Sequence, residues 1–386
     1  MRWNEAALLV AVGVVGWTYA GYPVFLAATG RKAARRRPEP LRAVIPDRCL
    51  PSVTVVVAAL DEEEVIERKL EDVARLDYPR DKLEVIVVAD GSTDRTAELA
   101  RRAGATVLWS PDRAGKSAAV NRGISMATTE LICLTDANCS LTAGTLRALA
   151  AAFDDPAVAV VSGAKTVTGA GARGRGEGLY WRLESFVKAQ ESRVGAAMGA
   201  PGEVCGLRRA YVRPIPAGVL NDDYHLTCDA LARGLLVRFA PDAIAFEEVP
   251  VRIHGEFERR SRVAAGTWQT TLAHMSLANP RRGWVAVTFW SHRVLRSLVV
   301  PPLLPVIAIA SAVLARTSPL AKVLLVGQAL GYGAAALGLV VDSRATGAPL
   351  QLVLTNVSTL AGAVRLLTGR QPVQWRRVQR GKWVAA

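Results

Sequence analysis

Between residues 51 and 163 short apolar runs alternate with amphipathic ones, and this alternation restricts the fold more than any other feature of the chain. The apolar runs are 53–59, 83–89, 106–109, 131–135 and 158–161, with amphipathic helices expected from Asp61, after Asp94, from Lys116 and near Thr142. Strands that are each followed by a helix return to the same sheet edge-on and parallel, so the pattern predicts a doubly wound, mostly parallel α/β sheet. Asp61 with Glu64 has the form of a capping box, and Ser92 or Asp94 can cap the next helix. In open sheets of this kind ligands bind beyond the carboxyl ends of the strands. Asp90 in V-V-A-D-G-S-T-D and Asp136 in L-T-D-A-N fall there.

Further along, the Gly/Arg-rich stretch 169–178 is expected to be a mobile loop or linker. Residues 179–198 have helical periodicity, G-A-P-G at 199–202 breaks it, and 235–240 with 243–246 read as additional strands that complete a domain over 51–250. From 251 to 296 the chain is amphipathic and basic, with Trp268, Trp284 and Trp290, as expected of helices lying in a membrane interface.

With 51% hydrophobic residues, part of the chain is expected to lie outside water. The uncharged run 6–28 would extend roughly 34 Å as a helix, enough for a hydrocarbon core of about 30 Å. It is too long for a signal peptide, and the basic cluster Arg31, Lys32, Arg35, Arg36 and Arg37 follows it rather than preceding it. Residues 1–30 therefore read as an uncleaved anchor and 31–50 as a basic juxtamembrane linker. Because positive residues stay cytosolic, the domain is expected on the cytosolic side. The excess of Arg over Lys suggests a GC-rich bacterial source, so the expected location is a bacterial inner or plasma membrane. Three more apolar runs, 298–315, 320–341 and 350–367, form a segment 297–368 ahead of a basic tail, 369–386. Three crossings would carry Arg370 to Lys382 outside, against the charge rule, so one run is expected to be re-entrant or interfacial. Pro301, Pro302 and Pro305 break the first, and Asn356 and Arg365 make the last the least hydrophobic.

The net charge of +14 is concentrated beside apolar runs, including Arg281, Arg282, Arg293, Arg296, Arg376, Arg377, Arg380 and Lys382. That placement favours membrane lipids over nucleic acid as partner. The 5 cysteines are scattered without a C-x-x-C pair, which excludes a disulfide framework or cysteine metal cage. No G-x-x-x-x-G-K-[ST] occurs and no G-x-G-x-x-G follows the first strand, which disfavours P-loop and dinucleotide chemistry. Carboxylates at strand ends repel phosphate directly but can hold a hard cation that bridges to it, so Mg²⁺ or Mn²⁺ is the expected cofactor. Asp222 and Asp223 in L-N-D-D-Y-H-L supply a candidate base, since adjacent carboxylates raise one another's pKa. Each candidate also has a plain structural reading: turn and cap chemistry for Asp90, Asp136 and Asp223, a solvated helix residue for Lys116, lipid contact for the arginines around Arg259, and structural roles for the four histidines.

Taken together, these motifs resemble the family 2 glycosyltransferases over roughly 52–269. V-T-V-V-V-A-A-L-D-E-E-E is similar to the family's first strand and acidic turn, which implies Glu62 at the nucleotide, and V-I-V-V-A-D-G-S-T-D-R-T implies Asp90 at its base. D-R-A-G-K-S-A-A-V-N-R-G implies Lys116 near the diphosphate. L-T-D-A-N stands where the family carries its metal-binding D-x-D, with Asp136 retained and Asn138 replacing the second carboxylate. L-N-D-D-Y-H-L implies Asp223 as catalytic base beside Asp222. Arg259, Arg260 and Arg262 fall where processive members carry Q-x-x-R-W, with Arg259 for Gln and Val263 for Trp; Arg259 and Arg262 are then candidate phosphate ligands. Tyr180, Trp181 and Glu184 resemble a family helix near the acceptor, although their spacing reads as a core-packing stripe. The resemblance implies a GT-A-type fold and a membrane-bound inverting transferase. It would move a sugar from a nucleotide-diphosphate sugar, a UDP-sugar first among donors, to a lipid-linked or glycan acceptor at the cytosolic face. A processive polysaccharide synthase and a non-catalytic nucleotide-binding scaffold are the alternatives.

Overall fold

A computed structural model describes residues 3–34, 45–168, 171–248, 253–341 and 343–374. Eight strands form one sheet: β1 (Val53–Ala59), β2 (Leu83–Asp90), β3 (Thr106–Ser110), β4 (Leu131–Asp136), β5 (Ser140–Leu141), β6 (Val158–Thr168), β7 (Cys205–Arg208) and β8 (Leu236–Glu248). Their order is β3-β2-β1-β4-β7-β6-β8-β5. The first four strands are parallel, with Val53 paired to Leu83 on one side and to Leu131 on the other. β7 is antiparallel to both β4 and β6, and β5 is antiparallel to β8. β6 and β8 pair in parallel, so the sheet is mostly parallel as expected, with only β7 and β5 reversed. The departure lies where the strand-helix alternation ends, because β7 is a four-residue C-G-L-R segment with no period of its own.

Side-chain alternation along β1 builds two cores. Val55 and Val57 join Ile66, Leu70 and Leu146 on one face, while Val56 joins Ile132, Leu207, Leu231, Leu277 and Phe289 on the other. Leu277 and Phe289 are fully buried against the sheet although they belong to the stretch expected from sequence to lie in a membrane interface. At about 1.5–3 kcal/mol for each such side chain removed from water, they tie that part to the domain.

Several local expectations are corrected. The helix foreseen from Asp61 starts at Ile66, because Asp61 adopts a φ of 52° in a turn instead of capping. Residues foreseen as a loop over 169–178 lie mostly in a helix, Gly171–Ser192. Tertiary packing overrides the low helix propensity: a Cβ at Gly176 would lie 2.5 Å from Gly347 O, so the glycine permits the last helix to approach. The separate strands 235–240 and 243–246 are one continuous β8.

Among the described residues four helices are long and apolar enough to cross a membrane: Trp3–Thr29, Trp284–Leu314, Pro319–Leu337 and Ala345–Leu367. The second runs unbroken through π-helical turns, Phe289–Val299, into Val300–Leu314, so residues foreseen as interfacial up to 296 belong to it. Its prolines do not break it: Pro301 and Pro302 directly follow the π-helical turns, and Pro305 lies farther inside, all within the continuous helix. Leu8, Ile307 and Ala321 bring the first three helices together. The fourth packs along Gly171–Ser192 and Ile253–Ala273 and is pinned by Arg365 Nη2 to Glu258 Oε1 at 2.6 Å. Arg35, Arg36, Arg37 and the tail cations Arg376, Arg377, Arg380 and Lys382 lie outside the described residues.

Candidate functional site

Two acidic turns interlock at the carboxyl ends of β1 and β2. Thr93 N donates to Asp61 Oδ1 at 2.8 Å, Glu62 N donates to Thr96 Oγ1 at 2.8 Å, and Glu63 N donates to Asp94 Oδ2 at 3.0 Å. Asp94 also receives Thr96 N at 2.9 Å, as foreseen for the start of that helix. Asp90, at the end of β2, is 0% exposed and its carboxylate is fully engaged. Gly115 N at 2.8 Å, Ala114 N at 3.3 Å and Arg122 Nη2 at 2.8 Å all donate to it. Asp90 thus holds the loop that precedes Lys116. Residues after the last helix reach the same loop, where Gln374 Nε2 lies 3.5 Å from Arg113 O.

Gly91 makes this arrangement possible. Its φ is +69°, and a Cβ there would lie 2.8 Å from Arg113 Cβ. Gly91→Ala is expected to lower stability by about 2 kcal/mol or more, combining left-handed backbone strain with the clash. Thermal unfolding of the detergent-solubilised protein checks this, and an unchanged midpoint contradicts it.

Lys116 opens the helix Lys116–Met126, and its Nζ donates to Asp136 Oδ1 at 2.7 Å across the end of β4. Burial opposes its charge, but Asp136, Asp222 and Asp223 outweigh burial and raise its pKa above the ordinary lysine value. Asp222 and Asp223 form the first turn of the helix Asp222–Ala232. That turn is located from outside: Asn221 Nδ2 donates to Val263 O at 2.9 Å, and Leu220 N donates to Gln269 Oε1 at 3.0 Å. These bonds place the helix start beside Ile253–Ala273, which carries the arginines. Asp223 Oδ1 accepts Tyr224 N at 2.6 Å, while a Cβ at Gly202 would lie 3.4 Å from Asp223 Oδ2 and 2.9 Å from Lys116 Nζ. Burial, reinforced by Asp222 and opposed by Lys116, pushes the Asp223 carboxyl up to about 7.

The arginines divide into two kinds. Arg259 is paired with Glu256 at 3.0 Å and Glu177 at 3.9 Å, and Arg260 with Glu256 and Glu177. Arg262 has a buried Nε with no partner. Burial lowers its pKa, opposed by Asp222, Asp136 and Asp223, so it faces the acidic group with hydrogen-bonding capacity unspent. Lys116, Asp136, Asp222, Asp223, Arg259 and Arg262 all line one cavity of about 680 Å³. Glu62 and Asp90 do not line it.

Sequence reasoning placed Arg293 and Arg296 at lipid headgroups. Both instead line the cavity, with Arg296 Nη1 donating to Glu184 Oε2 at 2.8 Å and Arg293 Nη2 donating to Met198 O. Tyr180, Trp181 and Glu184, read as a packing stripe, line it too. His292 is buried between Glu191 at 2.8 Å and Glu184 at 3.2 Å, and Tyr22 donates to Glu191 Oε1 at 2.7 Å, joining the first apolar helix to the domain. The only sequence signal for this end was the Y-W-R-L-E run itself.

Asn138 Oδ1 is buried and without a hydrogen-bond partner, two residues from Asp136. A buried, orphaned amide oxygen two residues from a carboxylate is a donor of the type a hard divalent cation takes, although Asn138 itself does not line the cavity. Among the described residues no three His, Cys, Asp or Glu side chains group for metal binding, so other oxygens would have to complete a coordination shell.

The glycosyl transferase family 2 model matches residues 54–215. A probable glycosyltransferase of Bacillus subtilis, YdaM, is 28% identical over 248 residues, covering 59% of this chain and 58% of that protein. An N-acetylglucosaminyltransferase of Rhizobium sp. is 27% identical over 248 residues, 59% of this chain and 55% of that protein. The matches thus span little more than half the length of these relatives. Among solved structures, the mannosyltransferase PcManGT of Pyrobaculum calidifontis, in complex with GDP-Man and Mn²⁺, superposes with a TM-score of 0.72 and 27% identity over 94% of this chain and 99% of that one.

Proposed function

Residues 54–215 form a family 2 glycosyltransferase domain, and from that premise we propose that the chain is a membrane-bound inverting transferase acting on a nucleotide-diphosphate sugar. The observation that carries this reading is convergence. Asp223, Asp136, Lys116 and Arg262 come from four different elements into one cavity, and they combine a carboxylate poised near neutrality with cations of unspent hydrogen-bonding capacity.

In the proposed step Asp223 accepts the proton of an acceptor hydroxyl as that oxygen bonds to the anomeric carbon. The bond from that carbon to the diphosphate breaks, and the nucleoside diphosphate leaves with the electron pair. A single displacement inverts the anomeric centre. Lys116 and Arg262 bind the diphosphate, with Asp222 sustaining the basicity of Asp223. Asp136 and Asn138 would hold Mg²⁺ or Mn²⁺, which supplies neutralisation of diphosphate charge. Asp90 acts indirectly, through the loop it shapes, and Arg259 is committed to Glu256 and Glu177. The bound GDP-Man and Mn²⁺ of PcManGT support a purine as well as a pyrimidine nucleotide as donor.

The membrane arrangement follows from packing and charge. If Trp284–Leu314 leaves the domain side and Pro319–Leu337 returns, the last helix, which packs along the domain, lies on that side without crossing. The basic tail then stays with the 31–37 cluster in the cytosol, consistent with the charge rule, and the contact of Gln374 with the Arg113 loop supports it. An acceptor that is lipid-linked or a glycan at that face fits a cavity reaching the apolar helices.

The test offers the purified protein, in lipid with Mn²⁺, a panel of nucleotide sugars beginning with GDP-mannose and UDP-sugars, and a membrane extract as acceptor. Nucleoside diphosphate release that Asp223→Asn abolishes is expected. Turnover of no donor sinks the enzyme reading, and product length decides between single addition and polymerisation.

A further inference from the structure

The transfer step leaves a second cationic corner of the cavity without a role. Lys188, on Gly171–Ser192, is 4% exposed, and its ammonium makes one hydrogen bond, to Ser162 Oγ at 3.4 Å. Arg293 lies over the Tyr224 ring at 4.6 Å and donates to Met198 O, while its buried Nε has no partner. Arg296 beside them is satisfied by Glu184, but neither Lys188 nor Arg293 has a carboxylate within ion-pair distance among the described residues. The cavity lining as a whole carries eight Lys and Arg side chains against six carboxylates. Glu184 and Glu191 act on both cations from beyond contact distance. Buried cations with no directly paired carboxylate nevertheless remain costly, and an anionic ligand in contact lowers that cost.

The corner stands close to the reacting groups. Arg293 Nη2 occupies the space a Cβ on Gly199 would need, and a Cβ on Gly202 would lie 2.9 Å from Lys116 Nζ and 3.4 Å from Asp223 Oδ2. Three Cα steps span at most about 11 Å. The wall continues onto Tyr19 of the first apolar helix and Asn356 of the last, so an occupant of this corner borders elements that meet lipid. We propose that Lys188 and Arg293 form a phosphate subsite for the acceptor, an amphiphile whose phosphate lies between an apolar chain and the attacking hydroxyl. The proposal rests on the transferase reading and narrows its acceptor from any glycan to a phosphate-bearing lipid.

The test measures binding to the full chain in neutral phosphatidylcholine nanodiscs with three probes: farnesyl phosphate, farnesol and inorganic phosphate. Farnesyl phosphate is expected to bind at least tenfold tighter than either of the others. Lys188→Met and, independently, Arg293→Gln should each weaken it at least tenfold and leave nucleoside diphosphate binding with Mn²⁺ unchanged. Farnesol binding as tightly as farnesyl phosphate, or neither variant having an effect, overturns the subsite. Inorganic phosphate binding as tightly overturns its assignment to a lipid. Loss of nucleoside diphosphate binding in the unmodified protein would instead count against the transferase reading, so the two failures are told apart.

Discussion

Asp223→Asn is expected to lower the rate of sugar transfer by about 10²–10⁴-fold, the range over which a positioned general base acts, with nucleotide binding retained. The substitution keeps the shape of the side chain and its bond from Tyr224 N but removes the proton acceptor. The pH profile follows from the same environment. The base works as the carboxylate, and burial together with Asp222 raises its pKa to about 7, so the rate should rise with pH and level off above about 7. Asp222→Asn removes a charge that raises this pKa, so the acidic limb should move to lower pH. A rate for Asp223→Asn within tenfold of the unmodified protein, or an acidic limb near the ordinary carboxylate value, would remove Asp223 from the step.

Asp136→Asn is expected to abolish the Mn²⁺ dependence of nucleoside diphosphate binding. It leaves two amide oxygens, at positions 136 and 138, where a hard cation needs anionic oxygen. A loss of at least roughly a hundredfold is expected, since even outer-shell changes at metal sites cost 10–100-fold. Binding measured without metal should persist, because Lys116 and Arg262 remain and Lys116 is freed from its 2.7 Å pair with Asp136. The reciprocal change, Asn138→Asp, should tighten Mn²⁺ binding by restoring a second carboxylate where an unpartnered amide oxygen now sits. Calorimetric titration of nucleoside diphosphate with and without Mn²⁺ separates these outcomes. Equal metal dependence in Asp136→Asn and the unmodified protein would place the cation elsewhere.

Legibility differed between the halves of the domain. β1 and β4 were readable because each is a continuous apolar run buried on both faces, and β2 because its second half is, while the half-exposed edge strand β3 was readable from its short apolar run between helices. β7 was not readable, because its four residues owe their position to β4 and β6 on either side. The first turns of the Gly171–Ser192 helix, 171–178, were misread for a related reason: their glycines look like breakers locally, but Gly176 permits the approach of the last helix. Within the site, Asp136, Lys116, Asp222, Asp223, Arg259 and Arg262 came together around one cavity, whereas Glu62, Asp90 and Asn138 did not join them. The D-G-S-T-D motif marked a conformation as much as a contact, since Asp90 spends its oxygens on the loop before Lys116.

What the sequence by itself determined is whatever depends on near neighbours: the alternation that makes the parallel half-sheet, the placing of Asp90 and Asp136 at strand ends, and the length and apolarity of the helices that could cross a membrane. The tertiary structure alone decided the sense of β7, the partners of the arginines and the side of the domain on which the last helix lies. Glu184 stands 112 residues before the Arg296 it neutralises, and Lys188 stands 26 residues after the Ser162 that gives it its single hydrogen bond. Whether a basic residue beside an apolar run faces lipid or lines a cavity is set by such distant partners. The cost of burying a charge is met, or left for a ligand to meet, only when the folded chain brings them together.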